Sequence, residues 1–454
     1  VMRSNRYILG PEVEALEAEF ADYIGTSAAI GVANGTDAIE LALRALGVGP
    51  GDEVITVSHT AVATVAAIEA AGAIPVLVDI EPEYYSLNPL QLADVLSERT
   101  RAIITVHLYG QSADLDPIQE FCKKHNLALI EDASQAHGAK WEGKRLGTFG
   151  DIAATSFYPA KPLGCYGDGG AIFTNDDNLA EECKAIRIHG TKVDKYNSEM
   201  IGLNGRLDSI QAAVLLEKLT IFDEELEMRN EIDSHYRKIL NNAQYHPKNY
   251  QSAHALFSIT LGSEEKRESL IERISNKNIP SVIYYKLPIH LMKAFKYYGE
   301  LCCKMFSKVY GIESVSLRYF NVYGERQNLG GAYATVVGIF LDQASKGKPL
   351  TINSDGTQRR DFTYVGDVVR ANILASKSHK VKDGQAINIG FGKNISINEL
   401  ANFIYHKKIY LDAVDEPFEN LADISKAKDL LNWEPSIFIQ DWIKEYINKK
   451  MKKK

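Results

Sequence analysis

The chain has 454 residues, of which 45% are apolar and 24% are charged, and its formal net charge is −8. This composition is typical of a globular protein with room for two or three hydrophobic cores. The negative charge argues against a nucleic-acid-binding groove, and no apolar run is long enough to span a membrane. The five cysteines form no CxxC pair, so we expect a reducing, cytoplasmic environment.

From residue 28 to residue 174, short apolar runs alternate with helical stretches and are separated by turn signals such as residues 49–52. This alternation predicts an α/β fold with a mostly parallel sheet and helices on both faces. We predict a long helix over 206–231 and the start of a smaller α/β domain over 253–287. The seven predicted strands are 28–32, 53–57, 74–79, 102–108, 127–132, 151–157 and 170–174.

Lys161 follows the predicted strand 151–157, in the part of an α/β fold where ligand crevices form. A lysine that is partly desolvated there has a lowered pKa and can bond covalently to a carbonyl compound. The alternative is a solvated surface charge, which is the usual state of a lysine. Its position beyond a buried strand favours the functional interpretation.

Asp132 ends another predicted strand, 127–132. A carboxylate there could keep the pyridine nitrogen of pyridoxal phosphate (PLP) protonated, which the cofactor needs to act as an electron sink. A helix cap or turn is the alternative. The run 34–38 joins a strand to a helix, where free backbone N–H groups could hold a phosphate. An ordinary N-cap is the alternative for that run.

Five motifs occur in one order, at 7–13, 34–38, 131–136, 156–171 and 202–213. Over about the first 295 residues they resemble the DegT/StrS-type PLP-dependent sugar aminotransferases, of fold type I. The resemblance implies that Lys161 bonds to the cofactor and that Asp132 binds its pyridine nitrogen. It further implies one residue beside the ring and three phosphate ligands: Gln135, and Gly35, Thr36 and Ser156.

Asn204 is similar to the family residue that reaches the phosphate from a neighbouring subunit, so the resemblance implies a homodimer with shared active sites. Ala61 stands where many relatives place an aromatic residue that stacks on the cofactor ring. Relatives also carry a segment ahead of the position matched by Val1, so we expect the chain to be shortened there.

A second set of motifs lies at 317–324, 331–335, 355–365 and 422–427. From about residue 296 the chain resembles the second half of extended short-chain dehydrogenase/reductases, the nucleotide-sugar 4-epimerases and dehydratases. The resemblance implies a nucleotide-sugar pocket in which Asn321 and Arg360 contact the diphosphate. Arginine suits phosphate because its fork forms paired hydrogen bonds. A surface arginine beside Asp361 is the alternative.

This second half carries no GxGxxG dinucleotide fingerprint, and Met292 stands where a catalytic Tyr-x-x-x-Lys pair would place its tyrosine. No linker separates the two resemblances, so we hypothesise a fusion of two neighbouring sugar-pathway genes. The predicted domains are a PLP-binding large domain at 1–232, a partial small domain at 233–295, a partial epimerase-like region at 296–448 and a basic tail at 449–454.

Three functions are compatible with the sequence. The leading hypothesis is a PLP enzyme that moves an amino group from an amino acid, with glutamate as the expected donor, onto a nucleotide-linked keto sugar. The second is an NAD-dependent nucleotide-sugar epimerase, and the third is a non-catalytic chimera. We expect these small-molecule substrates and a second copy of the chain as partners, with no nucleic acid and no membrane.

Overall fold

The chain divides into two compact units, an N-terminal unit of residues 1–261 with 282–292 and a C-terminal unit of 262–281 with 293–454. Most of the predicted junction, which spans 296–300, lies outside the described residues, as do most of the 331–335 motif and the end of the basic tail. The computed structural model describes residues 1–192, 196–240, 243, 250–292, 300, 303–304, 307–308, 311, 313–325, 327, 335–412 and 417–451.

A seven-stranded sheet organises the N-terminal unit, in the order β1-β9-β8-β5-β4-β2-β3. All neighbouring strands are parallel except β9, which is antiparallel to β1 and β8. Each of the seven predicted strands forms within two residues of its expected bounds. These strands are β1 Ala28–Val32, β2 Glu53–Val57, β3 Ile74–Val78, β4 Thr100–Val106, β5 Ala128–Asp132, β8 Ile152–Ser156 and β9 Gly170–Thr174.

Helices cover both faces of this sheet. Neighbouring residues of β8 point to opposite faces, Ala153 into a core with α1, α7 and α8, and Ala154 into a core with α2, α3 and α6. A layer of helices on each face is the expected result of parallel strands. The helices are α1 Pro11–Ile24, α2 Gly35–Ala45, α3 Val62–Ala70, α4 Leu92–Val95, α5 Leu115–His125, α6 Asp177–Ile186, α7 Ser209–Leu219 and α8 Phe222–Arg237.

Two of our expectations for the N-terminal half need correction. The single helix expected over 206–231 is two helices, α7 and α8, because the chain breaks at residues 220–221 and buries Phe222 in the core that α1 also lines. Residues 253–287 contain one helix, α9 Glu264–Ser275, and no strand. A strand needs a hydrogen-bonded neighbour, and the short β10 Tyr250–Gln251 pairs instead with β6 Lys140–Trp141, which also pairs with β7 Lys144–Arg145.

The predicted boundary at residue 232 lies within α8, and the division into three domains and a tail stays a prediction. Residues 282–292 belong to the N-terminal unit, where the Ile289 N–H donates to the Ser58 carbonyl at 3.0 Å. Among the described residues, no helix is both long and apolar enough to cross a membrane.

The described part of the C-terminal unit contains paired short strands, the helix α9 and further helices around two cores. One core surrounds Phe340 and Trp442, and the other surrounds Ile387 and Trp433. The pairs are β11 Ser314–Tyr319 with β16 Asp383–Ile389, β12 Val322–Tyr323 with β15 Thr363–Tyr364, β13 Leu350–Asn353 with β18 Lys408–Leu411, and β14 Arg359–Asp361 with β17 Asn394–Ser396. The further helices are α10 Val336–Ser345, α11 Val365–Lys377, α12 Ile397–Ile404, α13 Ser425–Leu431 and α14 Ile439–Met451.

Candidate active site

A cavity of about 570 Å³ lies at the carboxyl edge of the seven-stranded sheet. Parallel strands end together at this edge, so residues far apart in sequence meet there. Six of the seven site residues predicted for the N-terminal half line the cavity: Gly35, Thr36, Asp132, Gln135, Ser156 and Lys161. The seventh, Asn204, is exposed and is not among the lining residues.

Asp132 is the last residue of β5, and only 5% of it is exposed. Its carboxylate accepts hydrogen bonds from the Thr64 hydroxyl at 3.1 Å and from the Ser134 N–H at 3.2 Å. The Thr64 hydroxyl, in the first turn of α3, is 3.0 Å from the hydroxyl of Thr60, which precedes the helix. The carboxylate is therefore fixed in direction while it lines the cavity.

Glu131, next to Asp132 in β5, forms a buried hydrogen-bonded pair with His107. Glu131 is fully buried, and its carboxylate accepts hydrogen bonds from His107 Nε2 at 2.9 Å and from the N–H groups of Gly147, Phe149 and Gly150. Burial alone would raise the pKa of Glu131, but these hydrogen bonds hold it below its usual value. The backbone N–H of His107 donates to the backbone carbonyl of Asp132 at 3.1 Å, and this hydrogen bond joins the ends of β4 and β5.

Lys161 lies in the loop after β8, which is anchored by the buried side chains of Phe157 and Leu163. Burial lowers the pKa of Lys161, while the negative charge of Asp132 acts in the opposite direction. A lowered pKa increases the share of neutral amine, the form that attacks a carbonyl carbon. The structure therefore gives this lysine the environment of a nucleophile.

The N-terminus of α2 faces the cavity through Gly35 and Thr36. The Asn34 side chain accepts the Asp37 N–H at 2.8 Å, and the Gly35 and Thr36 N–H groups precede the first helical hydrogen bond, which the Ala38 N–H makes to the Asn34 carbonyl. A Cβ atom at Gly35 would lie 2.6 Å from Ser156 Cβ, so only glycine fits there without movement. The helix dipole and these N–H groups suit a phosphate.

Sequence reasoning gave no role to Thr64, Tyr109 or Tyr285, although each bonds to a predicted site residue. Gln135 Oε1 accepts the Tyr109 N–H at 2.7 Å, and Gln135 Nε2 donates to the Tyr285 hydroxyl at 3.3 Å. Thr64 lies 68 residues from Asp132, and Tyr285 lies 150 residues from Gln135. No local pattern marks such partners. Ala61 lines the cavity, so the position at which many relatives are expected to carry a stacking aromatic residue lies at the site.

A second cavity, of about 440 Å³, lies in the C-terminal unit and is lined by both residues predicted there, Asn321 and Arg360. The Asn321 amide donates to the Asp361 carbonyl at 2.6 Å, and the Arg360 guanidinium donates to the Arg359 carbonyl at 2.8 Å. Arg360 is only 9% exposed. Phe340 and Phe362 supply apolar wall to the same cavity.

The residues of the first cavity fit PLP. Its volume lies within the range of about 300 to 1,000 Å³ typical of small-molecule sites. A carboxylate, a lysine of lowered pKa and a helix N-terminus match the pyridine nitrogen, the aldehyde and the phosphate. Among the described residues, no group of histidine, cysteine and acidic side chains could hold a metal ion.

Two family models match the chain. Residues 1–309 match the DegT/DnrJ/EryC1/StrS aminotransferase family, and residues 288–390 match the NAD dependent epimerase/dehydratase family. The two matches overlap over 288–309, which contains the predicted junction. They confirm both resemblances.

Similar proteins support the first match. The chain is 46% identical to a pleiotropic regulatory protein of Geobacillus stearothermophilus, over 66% of this chain and 81% of that one. It is 44% identical to the UDP-2-acetamido-2-deoxy-3-oxo-D-glucuronate aminotransferase of Pseudomonas aeruginosa, over 65% and 82%. A crystal structure of a DegT DnrJ EryC1 StrS aminotransferase from Brucella abortus superposes with a TM-score of 0.63 at 43% identity, over 65% and 82%. These likenesses confirm the predicted α/β fold class.

Proposed function

This chain belongs to the DegT/DnrJ/EryC1/StrS aminotransferase family, and we propose that it is a PLP-dependent enzyme that transfers an amino group from glutamate to a nucleotide-linked keto sugar. The observation that carries the proposal is the meeting of Lys161, Asp132 and the α2 N-terminus in one cavity. The Pseudomonas aeruginosa relative is named for a UDP-linked 3-oxo sugar, which supports the substrate class.

PLP, when bound, supplies an electron sink for negative charge at the Cα of the amino acid. Asp132 would hold a proton on the pyridine nitrogen, and Thr64 and Ser134 keep its carboxylate in place. Lys161 would hold the cofactor and then move a proton at Cα with its Nζ atom. Gly35, Thr36 and Ser156 would bind the phosphate, and Gln135 would lie beside the ring.

The test is the visible absorption spectrum of the full chain with PLP, before and after glutamate is added. We expect a cofactor band that glutamate bleaches, and no such band in Lys161→Ala. Lys144→Ala is the matched control, because Lys144 is exposed on β7. A wild-type chain that gives no band, or an unchanged band in Lys161→Ala, would overturn the proposal.

We further propose a homodimer in which Asn204 of one subunit serves the phosphate site of the other. Asn204 is exposed. A little further along the chain, Ile210 belongs to an apolar surface with Tyr7 and Ile8, and each of these three residues is more than 40% exposed. Ile8 forms a bridge with Asp208, which places these side chains beside the start of α7. An apolar surface of this kind is typical of a subunit interface.

Mixed dimers test this arrangement. Lys161→Ala and Asn204→Ala each remove a different residue of the shared site. In an equal mixture about half of the dimers contain one copy of each variant, and one of their two sites has both residues intact. About a quarter of all sites should therefore be restored. The measurement is the cofactor band and its bleaching in the mixture. If each variant alone is defective and the mixture shows no recovery, Asn204 does not act across an interface.

A cytoplasmic location is also our proposal. In the part of the chain that the structure describes, four cysteines are free thiols, and Cys122, Cys165 and Cys183 among them are buried, which suits a reducing compartment.

For the C-terminal unit we propose that Asn321 and Arg360 bind the diphosphate of a nucleotide sugar. The support is the 440 Å³ cavity that both residues line and the match to the epimerase family. The test is calorimetric titration of the full chain with UDP. Arg360→Lys should weaken binding about tenfold or more, because it loses the paired fork, and the exposed Arg273→Lys should not. Binding of NAD by the chain would instead favour an epimerase function.

A further inference from the structure

We propose that Tyr285 is a positioning residue that holds the Gln135 amide with an N–H donor available to the cavity, for an electronegative oxygen of the bound cofactor or amino acid. This inference rests on the proposed function. It assigns a role to a side chain that lies 150 residues from the amide it contacts.

The two partners of Gln135 decide which way its amide is turned. The Tyr109 backbone N–H can only donate, so the atom 2.7 Å from it is the carbonyl oxygen of Gln135. The amide nitrogen therefore lies on the other side, 3.3 Å from the Tyr285 hydroxyl. One N–H is used by that hydroxyl, and an amide nitrogen has two. The second N–H remains for a ligand in the cavity that Gln135 lines.

The Tyr109 side of this arrangement is held by the backbone. Tyr109 has a φ of 64°, a left-handed conformation that is uncommon for an aromatic residue. Gly110 follows with a φ of 98°, and a Cβ there would lie 2.9 Å from the Ala255 nitrogen and 3.1 Å from the Gln135 carbonyl oxygen. The tight packing around Gly110 therefore keeps the Tyr109 N–H directed at Gln135.

The Tyr285 side is held by the segment 282–292. The Tyr109 hydroxyl donates to the Tyr284 carbonyl and accepts from His59 Nε2 at 2.9 Å. The His59 ring meets the Tyr285 ring edge-on, with centroids 5.6 Å apart. Burial raises the pKa of Tyr285 to about 12, so its hydroxyl stays protonated at neutral pH. The position of the Tyr285 side chain is therefore fixed through contacts other than its hydrogen bond with Gln135.

Tyr285→Phe tests the inference, because it removes the hydroxyl and keeps the ring. The adjacent Tyr284→Phe is a matched control, since the Tyr109 hydroxyl bonds to the Tyr284 backbone and the Tyr284 side chain is 45% exposed. The readouts are the dissociation constant of PLP, the pH midpoint of the colour change of the PLP-loaded chain, and the dissociation constant of glutamate from a spectral titration.

We expect Tyr285→Phe to weaken one of these equilibria by about threefold to tenfold, the range for one lost hydrogen bond, and Tyr284→Phe to leave all three unchanged. A change in PLP affinity or in the pH midpoint identifies an oxygen of the cofactor as the acceptor. The pH midpoint should move upward. Without the Gln135 N–H donor, the cofactor oxygen would carry more negative charge, and that charge would stabilise a proton at Lys161 Nζ. A change confined to glutamate identifies the substrate carboxylate.

A double-mutant cycle separates positioning from general packing. If Tyr285 acts through Gln135, then Tyr285→Phe should have no further effect in a Gln135→Ala background. Additive effects, or equal behaviour of Tyr285→Phe and Tyr284→Phe, would overturn the inference. A wild-type chain that binds no PLP would instead overturn the proposed function, so the two failures are distinguishable.

Discussion

Gly35→Ala is the sharpest probe of the phosphate site, because it adds one methyl group where α2 begins. That methyl would lie 2.6 Å from Ser156 Cβ and 3.2 Å from Ser156 Oγ, whereas an ordinary contact is 3.4 to 4 Å. Gly35 has no positive φ, so its backbone can accept alanine. The first turn of α2 and Ser156 must therefore separate by about 1 Å to relieve the contact.

The size of the effect follows from the groups that move. Overpacking costs about 1 to 3 kcal/mol, and the gain of alanine over glycine in a helix, up to about 1 kcal/mol, partly offsets it. The chain should therefore stay folded. A hydrogen bond to a charged phosphate contributes about 1.5 to 3 kcal/mol, so losing one weakens PLP binding by about tenfold to a hundredfold.

The assay is a PLP titration followed by cofactor absorbance, with circular dichroism as the check on folding. Gly49→Ala is the matched control, because its Cβ would lie 3.7 Å from the Ala71 carbonyl, an ordinary contact, and its φ is not positive. If Gly35→Ala bound PLP as tightly as the wild type while folded, the close fit between Gly35 and Ser156 would not determine the phosphate site.

Three further predictions concern the groups around the cavity. The charge of Asp132 raises the pKa of Lys161 against the effect of burial, so Asp132→Asn should move the pH midpoint of cofactor capture to lower pH; an upward shift would contradict this. Thr64→Val should slow the glutamate half-reaction by about threefold to tenfold in stopped-flow absorbance, because Asp132 loses one hydrogen bond; an unchanged rate would remove Thr64 from the site. Burial, with the charge of Lys161, lowers the pKa of His137 to about 3, so the unfolded chain binds this proton first and stability is lost as pH falls below about 6.5. Between pH 7 and pH 5 the loss is about 2 kcal/mol; His137→Gln should remove it in denaturant melts, whereas the exposed His235→Gln should not.

The sheet could be predicted from the sequence because its signal is local. Strands such as β2 and β5 are short apolar runs bounded by turns or helices, and their carboxyl ends share one edge wherever they are parallel. Asp132 ends one of these strands and Gly35 follows another, so their meeting could be predicted from local signals, whereas the role of Ser156 was expected only from the family resemblance. Lys161 could be predicted for the same reason.

The contacts that orient these residues could not be predicted, because they join distant parts of the chain. Thr64 meets Asp132 across 68 residues and Tyr285 meets Gln135 across 150, with no periodicity to signal either pair. Glu131 belongs to the 131–136 motif, yet its hydrogen bonds with His107 and with three backbone N–H groups become visible only in the folded structure. The break before Phe222 was missed because burial in the core, rather than helix propensity, decides it.

The overlap of the two family matches shows which contacts lie within the aminotransferase match. The epimerase match begins at residue 288, and the aminotransferase match continues to 309. Tyr285 precedes this overlap, and Ile289, whose N–H bonds to Ser58, lies just inside it. The aminotransferase sequence therefore continues past the last contacts that residues 282–292 make with the N-terminal unit. We accordingly expect the glutamate half-reaction to survive in this chain; a cofactor band that glutamate cannot bleach would show that more of an aminotransferase is required than this unit retains.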